Sequence, residues 1–163
     1  MNCKGFTLIE LVMVIVLIGI IAVYAAPRLS NVTDTKAGAF VDKLRADIRY
    51  AQNLAMTRNQ RYRVYFNGSG GGGAPASGYI VVNDANGNGT WGEAAAEIAL
   101  DPAGGGNLIV TLNTGNYAGI TVSTPAGGFI EFNSLGVPTA AATLTIAPGG
   151  QQVTITDHTG AVN

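Results

Sequence analysis

Hydrophobic and polar positions fall into three regimes along the chain. From Phe6 to Ala26 nearly every residue is apolar or small, with Thr7, Glu10 and Tyr24 as the exceptions. A helix built from this run has no polar face, unlike the surface helix of a globular domain. At ~1.5 Å rise per residue it would span roughly 30 Å, the thickness of a bilayer core. After Pro27 the pattern becomes amphipathic. Phe40, Val41, Leu44, Ile48, Ala51 and Ala55 recur at steps of three and four, which predicts a helix ending near Thr57–Asn59. Lys43 and Asp47 stand four apart on it and are placed to pair across one turn. Beyond Gln60 the period drops to two. The stretches "RYRVYFN", "GYIVVN", "NLIVTL", "GITVS", "FIEFN", "TLTIA" and "QQVTITD" alternate or run β-branched, and Gly, Pro, Asn and Ser separate them. These are strands of an antiparallel domain. The segment Gly68–Gly78 reads as a flexible loop, and it lacks the Lys and Ser/Thr of a phosphate-binding loop. The fold class is therefore α+β: a long N-terminal helix packed on a C-terminal antiparallel β domain.

Composition sharpens this picture in two ways. Charged residues are only 12% of the 163, where a globular protein has roughly a quarter. The charges are also segregated. Every Lys and Arg lies at or before Arg63, and from Phe66 to Asn163 the charged side chains are all acidic. Such a C-terminal half is a poor nucleic-acid surface, because phosphate neutralisation needs Lys or Arg. The basic side of the second helix (Lys36, Lys43, Arg45, Arg49, then Arg58, Arg61 and Arg63) has two readings. One is a solvated face; the other is a collar touching anionic lipid or acidic faces of neighbouring subunits. The single cysteine, Cys3, excludes an internal disulfide.

The apolar run has a distinctive entrance. "KGFTLIEL", Lys4 to Leu11, directly precedes it. This octet resembles the signal of type IV prepilins and type II secretion pseudopilins. The resemblance implies that prepilin peptidase cuts between Gly5 and Phe6 and that the new amino group of Phe6 is methylated. It also implies that Glu10 neutralises the amine of a neighbouring subunit during assembly. A lone carboxylate in hydrocarbon costs on the order of 3 kcal/mol, so such pairing would reward docking. An ordinary secretory signal is the competing reading; Glu10 inside the run and Pro27 just after it speak against it. The stretches "FVDKLRADIRYAQNLAMTRNQRYRVYF" and "FIEFNSLGVPTAAATLTIAPGGQQVTITDHTGAV" are similar to the GspH/FimT branch of that family, although "DHTG" lacks an Arg often found there.

On this resemblance residues 1–5 are a leader, 6–27 a transmembrane and assembly helix with Pro27 bending or locally melting it, 28–59 an amphipathic stem and 60–163 a β head. The expected product is a minor pilin or pseudopilin of the bacterial inner membrane, single-pass with a periplasmic head. It is not an enzyme, and its partners are other pilins and prepilin peptidase. The alternative is a FimT-like DNA-binding minor pilin of natural transformation, against which the missing basic residues count. No cofactor is expected apart from one calcium candidate. Asp84, Asn86 and Asn88 before Gly89 fit the first half of a calcium loop, but Ala95 stands where the closing acid belongs, so Glu93 or Glu97 would have to serve. A simple hairpin turn is the competing reading. His158 beside Asp157 has no nucleophile in a recognisable context, and Trp91 and the tyrosines read as core or interface.

Overall fold

A computed structural model describes residues 6–70, 72–112 and 114–163, without the side chains of 25–32. One helix, α1, runs unbroken from Leu8 to Arg58, straight through Pro27, so the local melting expected there does not occur. Its C-terminal end falls where the periodicity placed it. Asn59 closes it in the left-handed region (φ 51°), and its N–H donates to the Ala55 carbonyl.

Seven strands follow: β1 (Tyr62–Phe66), β2 (Gly78–Asn83), β3 (Ile109–Thr111), β4 (Thr121–Val122), β5 (Phe129–Phe132), β6 (Ala142–Ala147) and β7 (Gln151–Ile155). Each lies within or overlaps one of the seven alternating stretches. They form two antiparallel sheets, ordered β3-β2-β1-β5 and β4-β6-β7. Gly78 is obligatory where β2 meets β3. Its φ is +132°, and an added Cβ would sit 1.9 Å from the Val110 carbonyl oxygen.

The second half of α1 lies across both sheets. Ala37, Phe40, Val41, Leu44, Ile48, Ala51, Leu54 and Ala55 are all buried, and this is the apolar stripe read from the sequence. They meet alternate residues of β1 and β2 (Tyr62, Val64, Phe66, Tyr79, Val81) and of the smaller sheet (Leu144, Ile146, Val153, Ile155) in one core. Burying a side chain the size of Leu44 or Phe40 contributes about 1.5–3 kcal/mol. A second, smaller cluster sits on the opposite face of the four-stranded sheet: Tyr65, Ile80, Val82 and Trp91.

Candidate assembly surface and head sites

The stretch of α1 from Leu8 to Tyr24 packs against no other described residue of the chain. Its large apolar side chains are exposed all round, from 41% at Val14 to 81% at Leu8. An added Cβ at Gly19 would touch nothing within 4 Å. Contiguous apolar surface on this scale marks a binding surface. Thr7 caps the helix through its backbone carbonyl, which accepts the N–H groups of Glu10 (3.1 Å) and Leu11 (3.2 Å). Glu10 is exposed in the first turn, where the helix dipole favours a negative charge. Phe6 is exposed just before it, while Gly5 lies outside the described residues.

The expectation of a membrane span requires correction. Among the described residues no helix is long and apolar enough to cross a membrane. The described apolar side chains, Leu8 to Tyr24, cover about 25 Å at helical rise, short of a hydrocarbon core of roughly 30 Å. The single-pass inner-membrane placement is therefore not supported.

In the head, Asp84, Asn86, Asn88 and Glu93 do come together, but as a self-contained turn. The Asp84 carboxylate accepts the backbone N–H of Asn88 (3.1 Å) and of Gly89 (3.0 Å). Asn86 Oδ1 accepts from Asn88 N–H, and Asn88 Oδ1 from Thr90 N–H. Both amide nitrogens then donate to Glu93 Oε1, at 2.7 and 2.5 Å. A calcium ion needs converging oxygens; here the amides turn nitrogen toward the glutamate. Glu97, the other closing acid, is buried and accepts the Glu93 N–H. Among the described residues no group of three or more His, Cys, Asp or Glu is placed to hold a metal. His158 is exposed in a left-handed turn (φ 66°), with Asp157 at 3.5 Å and no nucleophile.

The arginines of the basic stretch are largely engaged. Arg63 faces Glu131 across the β1–β5 pair and donates from Nε at 2.6 Å. Its guanidinium lies between Trp91 (4.0 Å to the ring centroid) and Phe129 (4.1 Å). It also donates to the Tyr65 hydroxyl at 2.7 Å. Desolvation pushes the Arg63 pKa down, but the hydrogen bonds it donates to Tyr65 and Glu131, with their charges, outweigh it and the net shift is upward. Arg61 reaches the same Glu131 at 3.4 Å. On the stem, Arg49 donates to the Val162 carbonyl and Arg58 to the Tyr62 hydroxyl. Lys36, Arg49, Arg58 and Arg61 are exposed, as the solvated-face reading has it, while Lys43, Arg45 and Arg63 are half-buried. Lys43 and Asp47 pair at 2.9 Å as the spacing implied. The sequence reading missed the third member, Tyr79, whose buried hydroxyl donates to Asp47. Burial, followed by the Asp47 charge and hydrogen bond, holds that phenol well above 10.0.

The uncovered apolar stretch Leu8–Tyr24 is a surface for other molecules to cover. Comparison with known proteins agrees. The family described as "Type II transport protein GspH" matches residues 41–160. The chain belongs to the GspH family. The "Prokaryotic N-terminal methylation motif" matches residues 1–26, which makes this GspH-family chain a member of the minor pilin and pseudopilin group with a prepilin-like N terminus. It is 49% identical over 55 residues to the "Type IV narrow pilus major component PilA5" of Thermus thermophilus, a match covering 34% of this chain. The chain thus spans about half (47%) of that relative's length. No solved structure matches significantly. Membership in a family of structural components carries the non-enzymatic reading.

Proposed function

We propose that this GspH-family chain is a minor pilin or pseudopilin, a structural subunit of a type II secretion pseudopilus or a type IV pilus. Prepilin peptidase removes residues 1–5, and the amino group of Phe6 is methylated. Residues 6–27 form the assembly helix, 28–59 the stem and 60–163 the head. The observation that supports this reading is the exposed apolar stretch Leu8–Tyr24 of α1, which lies inside the methylation motif. Side chains exposed on every face of a helix need neighbours on every face, and the corresponding helices of other subunits supply them. Cleavage places an amine on Phe6, one helical turn from Glu10, so a neighbour's carboxylate can neutralise it. The DNA-receptor alternative loses ground because Arg63 is committed to Glu131, Trp91 and Phe129.

Processing is tested by co-expressing the full chain with a prepilin peptidase and sequencing the mature N terminus. A start at methylated Phe6 is expected. A start at Ala26 or Pro27 would identify an ordinary signal peptide and sink the proposal.

A further inference from the structure

Three Asn-Gly pairs occur in the chain: Asn67-Gly68, Asn86-Gly87 and Asn88-Gly89. Such a pair can modify itself. The backbone nitrogen of the glycine attacks the carboxamide carbon of the asparagine, and a glycine, lacking Cβ, leaves that approach unhindered. The reaction needs a glycine N–H that no acceptor holds, a carboxamide that can turn, and water. The head treats its three pairs differently.

Asn67 is locked. Its Oδ1 accepts the Gly78 N–H at 3.1 Å, and its Nδ2 donates to the Val122 carbonyl at 2.8 Å and the Thr124 hydroxyl at 2.9 Å. Asn88 is exposed, but the nitrogen that would attack it is occupied: the Gly89 N–H donates to the Asp84 carboxylate at 3.0 Å. A charged acceptor makes this the stronger kind of hydrogen bond. Asn86 and Gly87 are both exposed, and among the described residues the Gly87 N–H has no acceptor. An added Cβ at Gly87 would meet nothing within 4 Å, so the pair stands open to water. The Asn86 side chain also folds forward along its own backbone, because its Oδ1 accepts the Asn88 N–H at 3.0 Å. That carries the carboxamide toward the Gly87 nitrogen. Its second bond, from Nδ2 to Glu93, is exposed, and water competes for both partners.

We infer that Asn86 is a site of spontaneous deamidation, which gives this turn a negative charge that grows with the age of the chain. The Gly87 nitrogen bonds to Asn86 Cγ and gives up its proton as the Cγ–Nδ2 bond breaks. Ammonia leaves and a five-membered succinimide remains. Water then opens either carbonyl of the ring, to aspartate or to isoaspartate, and nothing is oxidised or reduced. Glu93 Oε1 accepts from both Asn86 and Asn88 in the unmodified turn. After the reaction it loses the first donor and faces a carboxylate instead, so like charges repel across the turn.

The test holds the purified full chain in mild detergent at slightly alkaline pH and quantifies each Asn-Gly site over time by peptide mapping and mass spectrometry. A parallel sample is kept unfolded in guanidinium chloride. Unfolded, the three sites should react at similar rates, because each is the same residue pair. Folded, Asn86 should react fastest, with Asn67 and Asn88 at least about tenfold slower, the factor that one hydrogen bond to a charged group implies. Asp84→Ala releases the Gly89 N–H and should raise the Asn88 rate about tenfold while Asn67 stays slow. An Asn86 that survives intact in the folded chain, or an Asn67 or Asn88 that keeps pace with it, would overturn the inference. So would an Asn88 rate that Asp84→Ala leaves unchanged. None of these readouts depends on the proposed subunit role.

Discussion

The two halves of α1 are continuous in backbone and opposite in circumstance. Between Phe40 and Ala55 the helix is amphipathic, and its apolar stripe is fully covered by two sheets of its own chain. Between Leu8 and Tyr24 it is apolar on every side, and its own chain covers none of it. One half therefore stabilises the head, and the other carries binding capacity that the monomer leaves unused. The difference teaches that hydrophobicity alone does not mark a core. What marks it is whether the apolar positions leave a polar face for water.

Substitutions in the two halves should separate fold from assembly, and the sharpest contrast comes first. Phe40 is fully buried between Tyr79 and Tyr117, at ring centroid distances of 6.2 and 5.4 Å. Phe40→Ala should destabilise the head by about 4 kcal/mol in denaturant unfolding. Ile15→Ala, in the uncovered half, should change the same unfolding by less than about 0.5 kcal/mol. Equal losses at both positions would erase the comparison.

The next effect is smaller and lies on the opposite face of the head. Removing Arg63 leaves the buried Glu131 with only the longer, more exposed Arg61 contact at 3.4 Å and opens the space between Trp91 and Phe129. Arg63→Ala should cost about 3 kcal/mol. Arg63→Lys should recover only part of this, because it keeps the charge and loses the flat fork that lies between the rings. A loss within surface-mutation range in thermal or chemical unfolding would show the cluster to be incidental.

Tyr79 gives a still smaller effect with a pH signature. The unfolded phenol ionises near pH 10.0, while the folded one, held up by burial and by Asp47, does not. The folded state then binds more protons, so stability is fully present below pH 10 and is lost as pH rises beyond it. Tyr62, raised mainly by burial, works in the same direction. Tyr79→Phe should lose about 1 kcal/mol at neutral pH, with Lys43 still pairing Asp47, and should show a shallower alkaline decline. An unchanged alkaline slope would contradict this assignment.

Much of the head was legible from periodicity, because period two and period 3.6 are imposed by the backbone itself. β2 begins and ends where "GYIVVN" does, and α1 ends within the expected three residues. The partition into two sheets was not legible, since strand order depends on long-range packing. Glu131 was readable in principle. Arg63 and Glu131 each interrupt an apolar strand on the same face, which is the pattern of a cross-strand pair. Tyr79 was hidden, because a tyrosine in a buried strand shows nothing of where its hydroxyl ends. The turn at Asp84–Glu93 reads two ways for a related reason: oxygen-bearing residues before a glycine serve a backbone turn as well as they serve an ion.

Glu10 probes the uncovered half most directly, because the proposed docking depends on its charge while the head does not contact it. Wild type and Glu10→Ala would be expressed with the prepilin peptidase and companion subunits, and the mature chain recovered in filaments would be quantified against total mature chain. The account predicts normal cleavage and normal head stability in Glu10→Ala, with incorporation reduced about tenfold or more, as losing a charge-assisted contact implies. Incorporation equal to wild type would contradict the claim that this half of the helix docks through Glu10 onto a neighbouring subunit.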